Sequence, residues 1–130
     1  VIRYQGPSGG PGMNEIMSTP LTLIAESLDD SVALITDGRF SGFNRGPIIG
    51  HLSPEAARGG ALAIIEEGDI IHIDIENRLL EAKLSRTEME KRMSKWSMPN
   101  LEERRGYLNA YSKLALPAEK GAVLDIDFSN

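Results

Sequence analysis

Ser31-Val32-Ala33-Leu34-Ile35-Thr36-Asp37-Gly38-Arg39-Phe40-Ser41-Gly42 passes from a continuous apolar run straight into a chemically loaded loop. The run has strand length and lacks the polar alternation of a half-wet strand. It therefore suits a strand covered on both faces, as in an α/β protein. Loops that follow buried strands are where α/β proteins commonly place ligands. Asp37 to Gly46 supplies such a loop with a carboxylate (Asp37), a hydroxyl (Ser41), two guanidiniums (Arg39 and Arg45) and the glycines Gly38, Gly42 and Gly46. Each guanidinium can grip a carboxylate bidentately. Ser41 is not the nucleophile of a Gly-x-Ser-x-Gly elbow, because position 39 is Arg. A Ser-His-Asp triad would have to use His51 or His72, the two histidines of the chain.

Upstream, Val1 to Tyr4 predicts a short strand. Gln5 to Met13 then holds Gly6-Pro7-Ser8-Gly9-Gly10-Pro11-Gly12, which cannot be regular structure. It has neither the Gly-Lys-Ser/Thr of a P-loop nor the spacing of a dinucleotide fingerprint. Two readings stand. It is a flexible surface turn, or its glycines let the backbone close over an anionic substrate with Glu15 as a hard oxygen ligand. Mg²⁺ commonly takes only one or two protein carboxylates. Thr19-Pro20 predicts a helix start with Thr as N-cap, Leu21, Leu23, Ile24 and Leu28 on one face, and an end at Asp29-Asp30.

Downstream, Ser53-Pro54 repeats the cap-plus-proline signal and predicts a helix opening at Pro54, stopped or kinked by Gly59-Gly60. His51 ahead of it reads as a helix-entry residue or as a core histidine with a satisfied hydrogen bond. Ala61 to Ile65 predicts a short helix, and Glu67-Gly68-Asp69 a turn. Ile70 to Ile75 alternates, placing Ile71, Ile73 and Ile75 on one side and His72 and Asp74 on the other. With Leu79 to Leu84 it predicts a hairpin. Ser85-Arg86-Thr87-Glu88 is a capping box that opens a helix through about Trp96, ended by Pro99. Arg104 to Lys113 has helical spacing, weakened by Gly106. Gly121 to Ile126 is a last strand or an extended tail. The sum is a mixed α/β domain of short strands.

Composition narrows the function. A chain of 130 residues is one domain. It has no cysteine, which excludes disulfides, thiolate zinc sites, a cysteine nucleophile and a cysteine-ligated cluster within this chain. A net charge of −5 argues against nucleic acid as a partner. No run approaches the ~18 apolar residues of a membrane span, so no membrane partner is expected. The start at Val1-Ile2-Arg3-Tyr4-Gln5, without Met, reads as a cut into a longer chain. No export signal is visible.

Taken in order, these motifs resemble a known family. Val1-Ile2-Arg3-Tyr4 with Gly6-Pro7, Gly9-Gly10-Pro11-Gly12-Met13 and Glu15 look like the dihydroxy-acid and sugar-acid dehydratases. So do Val32 to Gly42, Arg45-Gly46, Gly50-His51, Ser53-Pro54-Glu55-Ala56, Gly59-Gly60, Glu67-Gly68-Asp69-Ile70-Ile71, Asp74-Ile75 with Asn77-Arg78, Arg105-Gly106-Tyr107-Leu108 with Tyr111, and Gly121-Ala122-Val123-Leu124. The likeness runs through nearly the whole chain. Asp37 to Gly42 with Arg45-Gly46 and Gly50-His51 is closest to the dihydroxy-acid dehydratases of valine and isoleucine synthesis. The sugar-acid (aldonate) members look different there. One departure is Phe43-Asn44, where the nearest members read Gly-Thr; its bulk beside Ser41 bears on substrate choice.

The resemblance implies that residues 1–130 are the C-terminal domain of a longer hydro-lyase. That domain would be a swivelling β/β/α unit, a barrel-like sheet of short strands with flanking helices, inactive by itself. It implies an N-terminal domain, absent here, that holds an iron–sulfur cluster and most Mg²⁺ ligands. It implies Ser41 as catalytic base, Glu15 as the Mg²⁺ ligand from this side, and Arg39, Gly42 and Arg45 as substrate-binding residues. Asp37 would orient the loop. The reaction would be dehydration of a 2,3-dihydroxy carboxylate to a 2-keto acid, with the cluster as Lewis acid on the departing hydroxyl. Expected partners are the small dihydroxy acid, the chain's own N-terminal domain and a second copy in a homodimer. The expected location is the cytoplasm, or an organelle in a eukaryote. Two other readings remain: a sugar-acid dehydratase domain, and a non-catalytic carboxylate-binding module.

Overall fold

The computed structural model describes residues 1–100 and 105–126. Its elements follow as β1 (Glu15–Ile16), α1 (Ser18–Ala25), β2 (Leu34–Ile35), β3 (Arg39–Phe40), β4 (Ile48–Ile49), β5 (Ile71–Asp74), β6 (Leu79–Ala82), α2 (Arg86–Lys95) and α3 (Gly106–Leu114). Short 3₁₀ turns cover Ala56–Arg58, Ala61–Ile64 and Ala118–Lys120. The class is mixed α/β, as predicted. Among the described residues the strands form three two-stranded pairs: β1 with β3 and β2 with β4, both parallel, and the antiparallel hairpin β5–β6. They do not close into a barrel.

The quoted stretch is the axis of this arrangement. Leu34 and Ile35 are buried, as the uninterrupted apolar run requires. Leu34 N–H donates to Pro47 O at 3.0 Å and Thr36 N–H to Ile49 O at 3.0 Å, which ties the run to β4 on one side. Ile2 N–H donates to Ile35 O at 2.9 Å on the other side, as a single parallel bridge rather than the predicted strand over Val1 to Tyr4. Tyr4 turns away with φ +64°. The core gathers Ile35, Ala56, Leu62, Ala63 and Ile64, with Ile71, Ile73, Met89, Met93 and Trp96 packed around it. Full burial of a large apolar side chain contributes roughly 1.5–3 kcal/mol, so this small cluster is the main source of cohesion.

Several boundaries differ from prediction for tertiary reasons. Helix α1 begins at Ser18 with Met17 in the cap position and no side-chain cap, so Thr19 lies inside it. It ends before Asp29-Asp30 because Ser27 adopts φ +57° and closes a Schellman motif: Ser27 N–H donates to Ile24 O at 3.1 Å and Leu28 N–H to Leu23 O at 2.8 Å. No helix opens at Pro54. The Ser53–Pro54 bond is cis, and the 3₁₀ turn starts at Ala56, whose N–H is capped by the Asp37 carboxylate at 2.8 Å. Gly59, at φ +74°, ends that turn. His51 is exposed, not a core histidine, and its backbone sits at φ +57°.

The hairpin appears as read, with Ile71 and Ile73 on the core. Ile75, assigned to the same face, has passed into the turn and is exposed. His72 lies opposite Glu81, with Nδ1 3.4 Å from its Oε1. The Ser85 N-cap holds, with Glu88 N–H donating to Ser85 Oγ at 3.2 Å, while the Glu88 carboxylate accepts from Arg92 and Lys91. Helix α2 stops at Lys95, ahead of Pro99, because Trp96 leaves it to reach the core and donates from Nε1 to Tyr4 Oη at 3.1 Å. The predicted helix start at Arg104 falls outside the described residues. The last segment contributes one bridge, Ala115 with Leu124, in place of a strand over Gly121 to Ile126.

Candidate functional site

Two carboxylates build the site's scaffold. Asp37 is fully buried at the end of the apolar run. Its Oδ2 accepts from Tyr4 N–H at 3.1 Å and Ala56 N–H at 2.8 Å, and its Oδ1 accepts from Gln5 N–H at 2.9 Å. Every proton donor around it is a backbone amide that secondary structure leaves unpaired, so the carboxylate answers a requirement of the chain itself. These three bonds tie Tyr4, Gln5 and Ala56 to the end of the apolar run.

The second carboxylate, Glu55, was not singled out by the sequence. It is 1% exposed and accepts from Ser8 N–H at 2.9 and 3.1 Å and from Gly9 N–H at 2.8 Å. A Cβ at Gly6 would lie 2.6 Å from its Oε2, so only glycine admits the carboxylate there. The signal that could have found it is the loop: a glycine-rich stretch carries amide donors that need acceptors from elsewhere. Ser53-Pro54-Glu55 looked instead like local helix capping.

The loop thus held delivers its far end to β3. Gly10 N–H donates to Gly6 O and Met13 N–H to Gly10 O, both at 2.7 Å. Met13 is buried at φ +44° and its carbonyl accepts from Arg39 Nε. Non-glycine residues in this backbone region cost roughly 1–3 kcal/mol and persist where the surroundings over-determine them. Tyr4 and Met13, at the two ends of the glycine loop, both pay that cost.

On this frame the structure brings Glu15 and Arg39 side by side. They are Cα partners in the parallel β1–β3 pair. Among the described residues Glu15 is exposed and forms no ion pair, since Arg39 Nε is turned to Met13 O. Ser41 follows β3 two residues after Arg39. Its residue surface is 6% exposed, and no group among the described residues hydrogen-bonds its hydroxyl. Asn44 Nδ2 donates to the Ser41 carbonyl, which fixes the backbone, while Asn44 Oδ1 is buried with no partner among the described residues. A Cβ at Gly42 would meet nothing within 4 Å, so this side is open. Phe43 beside it is 82% exposed. Arg45 is exposed in the same loop, where Gly46 lies close against the Asp29 backbone; no hydrogen bond or ion pair joins Arg45 to Glu15, Arg39 or Ser41 among the described residues.

The β1–β3 edge and the loop that follows it therefore carry, among the described residues, one carboxylate without an ion pair, one hydroxyl without a hydrogen-bond partner, and the guanidiniums of Arg39 and Arg45. No group of three or more His, Asp or Glu side chains able to hold a metal occurs among the described residues. Glu15 fits a hard cation only as a single ligand, a contribution Mg²⁺ accepts when other groups complete its shell. The chain has no donor set for an iron–sulfur cluster, since it has no cysteine. A cleft of about 470 Å³ lies elsewhere, lined by Arg3, Ile64, Glu88, Lys91, Arg92 and Trp96. Two of its cations are committed to the fold: Arg3 donates to the carbonyls of Leu62, Ala63 and Ile65, and Arg92 binds Asp69 and Glu88. No helix among the described residues is long and apolar enough to cross a membrane.

A protein of Methanococcus aeolicus named dihydroxy-acid dehydratase is 54% identical over 124 residues, which is 95% of this chain and 22% of that protein. Proteins of the same name from Thermodesulfovibrio yellowstonii and Clostridium botulinum are 52% and 54% identical, over 96% and 95% of this chain. The chain spans about a fifth of the length of these relatives. The sequence pattern described as dihydroxy-acid/6-phosphogluconate dehydratase C-terminal matches residues 1–122, covering the glycine loop, Glu15, the Asp37–Gly46 loop and Glu55 alike, and the chain belongs to that family.

Proposed function

We propose that this chain is the C-terminal part of a dihydroxy-acid dehydratase that converts 2,3-dihydroxy carboxylates to 2-keto acids in valine and isoleucine synthesis. One observation carries the proposal: Glu15, without an ion pair among the described residues, stands in register with Arg39, and Ser41, whose hydroxyl has no hydrogen-bond partner among them, follows directly after that strand. The relatives named above support the dihydroxy-acid class over sugar acids.

Ser41 acts as the base. Its ionised oxygen takes the proton from C2 of the substrate, the C3 hydroxyl departs, the proton passes from the Ser41 hydroxyl to the departing oxygen to complete one water, and the resulting enol tautomerises to the 2-keto acid. Arg39 and Arg45 hold the substrate carboxylate, and the open side at Gly42 admits the substrate backbone. Glu15 is the ligand for Mg²⁺, which when bound supplies Lewis acidity that acidifies the C2 proton. A serine hydroxyl is a very weak base until it is ionised by nearby cations, so Ser41 depends on groups beyond this chain and the isolated chain is inactive.

The exposed apolar side chains fit this dependence. Phe43 is 82% exposed beside Ser41, and Tyr107 (76%) and Leu108 (52%) project from α3, a helix with no buried residue. Such apolar surface marks an interface. Its occupant is the remainder of the enzyme, against which this domain swivels and which carries the cluster. The full-length enzyme then assembles as a homodimer.

The test is Ser41→Ala in the full-length enzyme, assayed for dehydration of 2,3-dihydroxyisovalerate. Loss of a positioned general base lowers turnover by about 10²–10⁴-fold. Turnover within a few-fold of wild type would remove Ser41 from the mechanism.

A further inference from the structure

We infer that Glu55 is a positioning residue for the Glu15–Arg39 edge, acting through the glycine-rich loop. Glu55 touches neither Glu15 nor Arg39. An unbroken series of hydrogen bonds nevertheless joins them. The Glu55 carboxylate receives Ser8 and Gly9 N–H at 2.8–3.1 Å. Those residues sit inside the turn closed by Gly10 N–H on Gly6 O, and the next turn is closed by Met13 N–H on Gly10 O. The Met13 carbonyl then takes Arg39 Nε, and Arg39 is the register partner of Glu15.

Two features say that this series has one conformation and that Glu55 selects it. The loop is packed to the limit on its inner side: a Cβ at Gly9 would lie 2.9 Å from the Tyr4 backbone and one at Gly6 2.6 Å from Glu55 Oε2. The carboxylate is also clamped from outside. Arg58 Nε donates to Ser8 Oγ at 2.9 Å and lies 3.6 Å from Glu55 Oε1, while its Nη2 donates to Ala115 O at 2.5 Å. A buried carboxylate with backbone donors on both oxygens has no slack. If it is neutralised, one of its oxygens becomes an NH₂ facing N–H donors, and the loop loses its reason to sit where it does. Arg39 then loses the Met13 carbonyl, and Glu15 its fixed neighbour. An outer group that orients a ligand in this way is worth about 10–100-fold in metal affinity.

This inference rests on the proposed role of Glu15 as a divalent-metal ligand, and the experiment separates the two. The full-length enzyme carries Glu55→Gln, Arg58→Ala or Glu15→Gln. Two quantities are measured without turnover: hydrogen–deuterium exchange of the peptide spanning residues 5–16, and Mn²⁺ affinity by EPR titration. Glu55→Gln is expected to speed exchange of residues 5–16 by on the order of tenfold, leaving residues 71–95 unchanged. It is expected to weaken Mn²⁺ binding about tenfold. Arg58→Ala, which leaves the buried carboxylate in place, moves both in the same direction by about threefold, and decides the matter if Glu55→Gln does not fold. Unchanged exchange, or faster exchange with unchanged Mn²⁺ affinity while Glu15→Gln weakens it, overturns the inference alone. Unchanged affinity in Glu15→Gln overturns the ligand role and the inference with it.

Discussion

Replacing Asp37 with Asn keeps the shape of the side chain and removes its charge, which makes it a sharp test of how this fold is tied. The carboxylate accepts three backbone amides, from Tyr4, Gln5 and Ala56, at 2.8–3.1 Å. Asn brings one acceptor oxygen and one NH₂. The best orientation keeps the oxygen toward Tyr4 and Ala56, where Asp37 Oδ2 serves two donors, and sets the NH₂ against Gln5 N–H. One buried donor is then orphaned, at roughly 1–3 kcal/mol, and two charge-assisted bonds become neutral ones, at roughly 1 kcal/mol each. The smaller desolvation penalty of a neutral amide returns part of this. The net expectation is a loss of about 2–4 kcal/mol, a large share of the ~5–15 kcal/mol that holds a domain together. It corresponds to a fall in Tm of about 8–15 °C for a domain of this size. Urea denaturation at neutral pH reads it through the chain's one tryptophan, Trp96, which bonds Tyr4 Oη at 3.1 Å beside the same junction. A midpoint shift at constant slope worth less than about 0.5 kcal/mol would refute the view that Asp37 is the tie.

The ion cluster on α2 predicts a pH effect. Arg92 donates to Asp69 at 2.5 and 3.1 Å and to Glu88 at 2.9 Å, and these hydrogen bonds are the first cause that holds both carboxyls below their ordinary values of 3.8 and 4.5. Carboxyls depressed in the folded state contribute stability that is present above those ordinary values and is lost as pH falls through the lower folded ones. Arg92→Met should therefore flatten the fall of stability with pH below about 4.5, measured by denaturation between about pH 2 and pH 6; an unaltered acid limb would show that these bonds do not count. A steric pair gives a second check. A Cβ at Gly60 would lie 1.6 Å from Pro54 O, so Gly60→Ala should cost about 3 kcal/mol or more in urea denaturation. Gly42→Ala meets nothing within 4 Å and should stay within about 0.5 kcal/mol of wild type, so any loss of turnover it causes in the full-length enzyme reports crowding at the substrate edge.

Local signals in the chain were legible wherever the physics that decides them is local. The Ser85 cap satisfies a donor three residues away, and the capping box predicted it. The unbroken apolar run before Asp37 demanded cover on both faces, and Leu34 and Ile35 have it. The β5–β6 hairpin followed from alternation, though the turn took Ile75 out of the buried set. Where neighbours in space overrule neighbours in sequence, the same rules failed. Pro54 looked like a helix start, but the amide that needs a cap is Ala56 N–H, and its acceptor is Asp37.

The amino-acid sequence by itself determined the class of the fold and the residue types on which the proposed chemistry draws: Glu15, Arg39, Ser41 and Arg45, with no thiol among them. Motif order also determined the family. Only the tertiary structure decided that Glu15 and Arg39 are register partners and that Glu55 closes the glycine loop from a position 46 and 47 residues away. The physical reason is the same in each case. An irregular loop cannot satisfy its own backbone amides, and the acceptors that do so are found only once the chain has folded back on itself.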